Sequence, residues 1–299
     1  MLGKKRIRFI INPISGIGKK NQLPDLIETH LDHDKYEYEI QLTEYRKHAR
    51  KIAIESSLEG FDIVCAVGGD GSVHEVGTGL IGTNTSLAII PTGSGNGLAR
   101  HLKIPLDIIE AIHCINDGHQ SVMDTVTANE TPFIGFGGFG FDALIAKRFD
   151  TFHKRGFSSY VKLVLKEFLK YKTNSITIEL PDRTIKDKFF MCSVANSSEL
   201  GNGFCLSPQS ILTDGKIELC LLKPASFFSV PKLVFDFFTR RADKNKNIDI
   251  ISFDKLTLHL DVNIAHFDGE PFEVRNTLNI EVIPKSLNIL VGKNYHAIY

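Results

Sequence analysis

The chain has 299 residues, 42% hydrophobic and 23% charged, which suits two domains of ordinary size and excludes a disordered or collagen-like polypeptide. Thirty-five basic side chains balance thirty-five acidic ones, removing the usual electrostatic case for a dedicated nucleic-acid binder. The five cysteines (Cys65, Cys114, Cys192, Cys205 and Cys220) are odd in number and lack a CxxC pair, which argues for a reducing cytoplasmic setting rather than a disulfide framework or thiolate zinc site. Ahead of Asn12 and Pro13 the apolar run is too short for a signal-peptide core, and no stretch reaches the length of a membrane-spanning helix.

Four short, β-branched runs in the first 125 residues predict strands: Arg6 to Asn12, Tyr36 to Leu42, Asp62 to Gly68 and Ser86 to Ile90. Between them, Leu23, Leu26, Ile27 and Leu31, then Ala49, Ile52, Ala53 and Leu58, repeat at helical spacing. Strand and helix in alternation predict a parallel sheet with right-handed crossovers. Three of these strands run into glycine-rich loops, NPISGIGKK, GGDGS and PTGSGNG, at the edge where such sheets bind ligands. Glycine after a strand is also ordinary turn chemistry, so one loop alone decides nothing.

Beyond about residue 125 the pattern changes to antiparallel β structure, with runs at Ser175 to Leu180, Lys188 to Val194, Lys216 to Leu222, Lys255 to Val262 and Thr277 to Ile283. One helix, Ser158 to Tyr171, spaces Lys162, Lys166 and Lys170 four residues apart opposite an apolar face. Phe227 to Phe238, FFSVPKLVFDFF, reads equally as core and as lipid-facing surface. The expected division is residues 1–125 as an α/β nucleotide domain and 126–299 as a β-sandwich substrate domain, with the last residues returning to the first.

Glycine-rich loops let main-chain N–H groups approach phosphate oxygens. The first loop adds Ser15 and Lys19 but is not a Walker A loop, and Asn21 stands where a third dinucleotide-fold glycine would be. Asp70, flanked by Gly68, Gly69 and Gly71, is either a turn former or a handler of metal and protons. The run Thr92 to Gly97 opens a helix, with an anion site and N-capping by Ser94 or Asn96 both available.

The series NPxSG, GGDGxxxE and PTGSGNxLA, closed by a late DGE, resembles the diacylglycerol kinase catalytic-domain family, which includes bacterial lipid kinases, sphingosine kinases and ceramide kinases. The match runs from Asn12 to Glu270. It implies a cleft between an α/β domain and a β-sandwich, and an ATP- and Mg2+-dependent lipid kinase acting on diacylglycerol or a related lipid at the membrane surface. The reading admits a homodimer. Nucleotide contacts are implied at Asn12, Pro13, Ile14, Ser15 and Gly16, at Thr43, at Gly68, Gly69, Asp70, Gly71, Ser72 and Glu75, and at Thr92, Gly93, Ser94, Gly95 and Asn96.

Glu270 matches the family's catalytic base, with Asp70 on the metal; sphingosine kinase-like members suggest Asp70 for the base instead. Asp124 would complete a carboxylate–water–metal network. A structural magnesium is implied at Asp214 with the carbonyls of Ile211 and Lys216, where the residues themselves read equally as a hairpin turn. Many bacterial members carry aspartate where this chain has Gly97, which weakens diacylglycerol as substrate more than it weakens a kinase. Only Asp142 is offered to a sphingoid amine, because Leu144 stands where a second acid is expected. A sphingoid or ceramide kinase, an NAD kinase-like enzyme and a non-catalytic lipid or nucleotide sensor are the alternatives.

Overall fold

The computed structural model describes residues 3–13, 22–150, 163, 166–168, 170–171, 173–261, 264–274 and 276–296. The N-terminal half alternates β1 (Lys5–Ile11), α1 (Leu23–His30), β2 (Tyr36–Leu42), α2 (His48–Leu58), β3 (Ile63–Gly68), α3 (Asp70–Leu80) and β4 (Ser86–Pro91). The strands pair in parallel in the order β2-β1-β3-β4. All six residues of β3 and all six of β4 are buried, as expected for parallel strands covered on both faces. α4 (Gly97–His101) and α5 (Ile108–Asp117) follow; Asp107 caps α5 by accepting from the Ile109 and Glu110 amides, and left-handed Gly118 ends it.

The second half adds β5 (Gln120–Ala128), β6 (Thr131–Phe133), β7 (Phe136–Gly140), α6 (Phe141–Asp150), β8 (Asn174–Glu179), β9 (Thr184–Phe189) and β10 (Met191–Ala195). β11 (Glu199–Gly201) and β12 (Phe204–Cys205) form a small hairpin, followed by β13 (Ile217–Leu222), β14 (Ile248–Phe253), β15 (Lys255–Leu260), β16 (Ile264–Phe267), β17 (Glu270–Glu273) and β18 (Thr277–Leu290). Among the described residues, one antiparallel sheet runs β14-β13-β10-β7-β16-β17 and faces the antiparallel part of the other sheet, β18-β15-β8-β9. Phe133, Phe139, Phe267, Ile178, Leu258 and Ile280 fill the space between them. Each such fully buried side chain contributes roughly 1.5–3 kcal/mol. The predicted α/β layer and antiparallel sandwich are both present.

Two strand predictions need correction. The run Lys188 to Val194 is not one strand: it divides at Phe190 between β9 and β10, which belong to different sheets. Phe190 turns the chain into a cluster with Phe141, Phe168 and Tyr171, and its amide donates to the Leu222 carbonyl. The strand at Thr277 does not stop at Ile283 but continues to Leu290. Its register shifts between Ile283 and Leu287, where Lys285 is left-handed, so Pro284 marks a bulge rather than an end. β18 pairs with β15 before the bulge and with β4 after it, joining the two halves in one sheet. The predicted basic helix falls largely outside the described residues; Lys166 and Lys170 are described and Lys162 is not.

Candidate active site

The exits of β3 and β4 lie side by side. The Thr92 amide donates to the Gly68 carbonyl, extending the parallel ladder by one step. Beyond it the two loops meet backbone to backbone: a Cβ on Gly93 would stand 2.5 Å from the Gly69 Cα. Glycine is the residue that permits this approach. At the exit of β1, the Asn12 amide donates to Val67, and Pro13 follows; Ile14, Ser15 and Gly16 lie outside the described residues.

Asp70 is the first residue of α3, and its carboxylate ties the second loop to the third. Oδ2 accepts from the Asn96 amide at 2.9 Å and Oδ1 from the Gly97 amide at 2.7 Å. Asp70 therefore caps the start of α4, correcting the expectation that Ser94 or Asn96 does so. Asn96 is left-handed and spends its side chain on Gly93, accepting from that amide and donating to that carbonyl. Burial raises the Asp70 carboxyl above its ordinary range; the Gly97 and Asn96 amides oppose the shift, and the Asp268 charge adds to it. Ser72 continues the first turn of α3, donating its amide to Gly69.

Glu75, expected near the nucleotide, has its carboxylate on the loop before α2. It accepts from the Lys47 and Ala49 amides and so caps α2. That cap fixes the loop that begins at Thr43, whose amide donates to Ile11. Arg46, on this loop, forms an ion pair with Glu270 of the other half.

Glu270 is delivered by a two-residue hairpin. Asp268 and Gly269 both have positive φ, 51° and 85°, between the paired residues Phe267 and Glu270. The Asp268 carboxylate anchors the turn: Oδ2 accepts from Ile134 and Oδ1 from Gly135 and Phe136. Its Oδ2 also lies 2.6 Å from His74 Nδ1 on α3. The result brings Glu270 Oε1 to 3.6 Å from where a Cβ on Gly71 would sit. The acid of the second half thus stands over the head of α3, where free amides and the helix dipole favour phosphate.

A concavity beside this contact is lined by Asp70, His74, Leu98, Phe136, Glu199 and Asp268, among others. The second half closes it through residues 196–203. Asn196 and Ser197 donate their amides to Gly135, and Asn202 donates to Gly95. Gly97 lies against this strap: a Cβ there would be 2.5 Å from the Glu199 carbonyl oxygen and 3.1 Å from the Gly201 nitrogen. An aspartate at 97 has no room in this arrangement. Gly97→Ala should lower unfolding stability by about 1–3 kcal/mol, read by chemical denaturation; an unchanged midpoint would show that the strap yields.

The carboxylates expected to share an ion are engaged separately. Each Asp70 oxygen already accepts a backbone amide. Asp124, fully buried, accepts from Gly215 and from Lys285, pinning the β18 bulge to the turn before β13. Asp214 accepts from the Lys216 amide within that turn, and the Asp124 amide donates to Leu212, next to Ile211. These hydrogen bonds close backbone turns, and among the described residues no three His, Cys, Asp or Glu side chains converge. Asp142 is likewise engaged: it accepts from the Ala143 amide and the Ser193 hydroxyl and lies 3.5 Å from His266 Nε2.

Sequence reasoning missed Arg46 and the His74–Asp268 pair. The Asp-Gly step between two apolar strands was the available signal for a hairpin presenting Glu270. Nothing local announced that His74 would reach it across 194 positions.

Comparison with known proteins agrees with this architecture. Residues 6–128 match the family model described as diacylglycerol kinase catalytic domain, and residues 135–291 match the YegS C-terminal NAD kinase beta sandwich-like domain. The chain is similar to a diacylglycerol kinase of Bacillus subtilis (strain 168), 30% identical over 74% of this chain and 75% of that one. It is also 27% identical to a diacylglycerol kinase of Staphylococcus aureus (strain MRSA252), over 86% of each chain. A solved structure titled as a diacylglycerol kinase, from Bacillus anthracis str. Sterne, superposes with a TM-score of 0.73 at 20% identity over 97% of both chains, a likeness of fold.

Proposed function

The chain belongs to the diacylglycerol kinase family of lipid kinases, and from that premise we propose that it transfers the γ-phosphoryl group of ATP to the free hydroxyl of a diacylglycerol. The approach of the Glu270 carboxylate to Gly71 carries this reading. Phosphoryl transfer to an alcohol needs a phosphate cradle, charge neutralisation and an acceptor for the hydroxyl proton. Backbone amides at Gly69, Gly71, Ser94 and Gly95 hold the triphosphate, and Asp70 keeps the two loops in register. The lipid hydroxyl oxygen attacks the γ-phosphorus while Glu270 takes its proton, the bond to the bridging oxygen breaks, and ADP leaves. Magnesium enters with ATP as part of the substrate. Arg46 pairs with the Glu270 carboxylate before the lipid arrives and neutralises phosphate charge after it.

The environment of Asp142 favours a neutral acceptor over a sphingoid amine, because that carboxylate is already occupied by Ser193 and the Ala143 amide. Labelled ATP offered with diacylglycerol, sphingosine, ceramide and NAD tests the proposal: label should appear in phosphatidic acid. Transfer to NAD alone would reverse the acceptor class, and no transfer to any of the four would leave a non-catalytic sensor.

A further inference from the structure

The helix Val230–Phe238 is apolar on two faces. Its inner face, Leu233 and Phe237, packs into the core, and Phe237 stacks on Phe204 at 4.3 Å. Its outer face is exposed: Val234 to 45%, Phe235 to 56% and Phe238 to 43%, with Phe228 in the preceding turn at 92%. Charge is uneven along the segment that carries these side chains, where Lys223, Lys232 and Arg240 are ion-paired with Asp249, Asp236 and Glu199. Between Lys223 and Lys246 there are six cations and two carboxylates, in a chain whose net charge is zero. One of the carboxylates, Asp236, is buried and held by Lys232, whereas Arg241, Lys244 and Lys246 are exposed.

We propose that this face seats the protein on an anionic lipid bilayer, with Phe228 and Phe235 in the acyl boundary and Arg241, Lys244 and Lys246 at the headgroups; the proposal rests on the reading of the acceptor as a membrane lipid. Apolar insertion combined with a basic rim is the composition that binds such surfaces. A second copy of the chain fits less well, because a two-fold contact would set this basic rim against itself. The surface is also continuous with the cleft: Arg240, just beyond the helix, pairs with Glu199, which lines it.

Co-sedimentation of the full chain with vesicles tests this, using phosphatidylcholine alone and phosphatidylcholine mixed with phosphatidylglycerol. The wild type should pellet with the mixed vesicles and remain in solution with the neutral ones. The pair Phe228→Ser and Phe235→Ser should weaken vesicle affinity by about tenfold or more, since two exposed rings no longer enter the bilayer. Arg241→Glu with Lys244→Glu should do the same while leaving the apolar face intact. Both double variants should retain transfer to a short-chain diacylglycerol dissolved in detergent. Undiminished vesicle binding in either variant, a wild type that ignores anionic vesicles, or a dimer lost on Phe substitution with vesicle binding unchanged overturns the surface. Absence of transfer in the wild type, with vesicle binding as expected, overturns the functional reading and leaves the surface standing.

Discussion

Glu270→Gln is expected to lower the turnover of phosphoryl transfer by about 10²–10⁴-fold, the range a positioned general base supplies, while changing nucleotide affinity little. The amide preserves the size of the side chain and still offers Arg46 an oxygen, so the hairpin and the ion-pair geometry should persist. The donors proposed for the phosphates belong to the other half, which is why binding and turnover should separate. Asp70→Asn provides the contrast. Both Asp70 oxygens accept amides from the third loop, and an asparagine would present a donor to one of them. A buried donor facing a donor costs about 1–3 kcal/mol, so this variant should lose stability and nucleotide affinity together. Initial rates with labelled ATP and titration calorimetry on both variants distinguish base from scaffold. A Glu270→Gln enzyme with wild-type turnover would remove Glu270 from the base role.

What the sequence made legible follows from how local each signal was. The strands at Asp62 and Ser86 were readable because burial on both faces forces continuous apolar runs, the edge strand at Tyr36 because its apolar and polar residues alternate, and the helices because one-sided burial forces helical spacing. The glycine loops were readable for the same reason: Gly69 and Gly93 touch, and nothing larger fits. Contacts between distant segments were not. In sequence Asp124 looks like an addition to a catalytic acid set and Glu75 like a nucleotide contact, yet each satisfies backbone amides in a neighbouring turn. Gly97 looked like the loss of a carboxylate, whereas the Glu199 carbonyl occupies the space such a side chain would need. A carboxylate beside a glycine-rich loop has the same composition whether it meets a ligand or an amide, and only the fold decides between them.

The contact between His74 and Asp268 should make stability depend on pH in a way that one substitution removes. Burial alone would raise the Asp268 carboxyl, but the His74 hydrogen bond and charge, with the Ile134 and Phe136 amides, hold it below its ordinary value of 3.8. Burial alone would lower the His74 imidazole, but the hydrogen bond and charge of Asp268, with the charges of Glu270 and Glu75 behind it, hold it above its ordinary value of 6.5. The Asp268 contribution is therefore complete above pH 3.8 and lost as pH falls through its depressed value. The His74 contribution is complete below pH 6.5 and lost as pH rises through its raised value. Denaturant midpoints should hold a plateau between these limits and decline on the alkaline side. His74→Gln should flatten that decline while the three backbone amides keep their carboxylate. Asp268→Asn should flatten it as well and cost about 3–5 kcal/mol besides, as breaking a buried pair does. Parallel midpoint curves for wild type and His74→Gln across the alkaline limb would sink this account. Because Asp268 sits one residue from Gly269 in the turn that delivers Glu270, the same variants should slow phosphoryl transfer in step with the loss of the latch. That coupling gives the two halves a reason to be pinned here: the acid reaches the phosphate loop only while the hairpin is held.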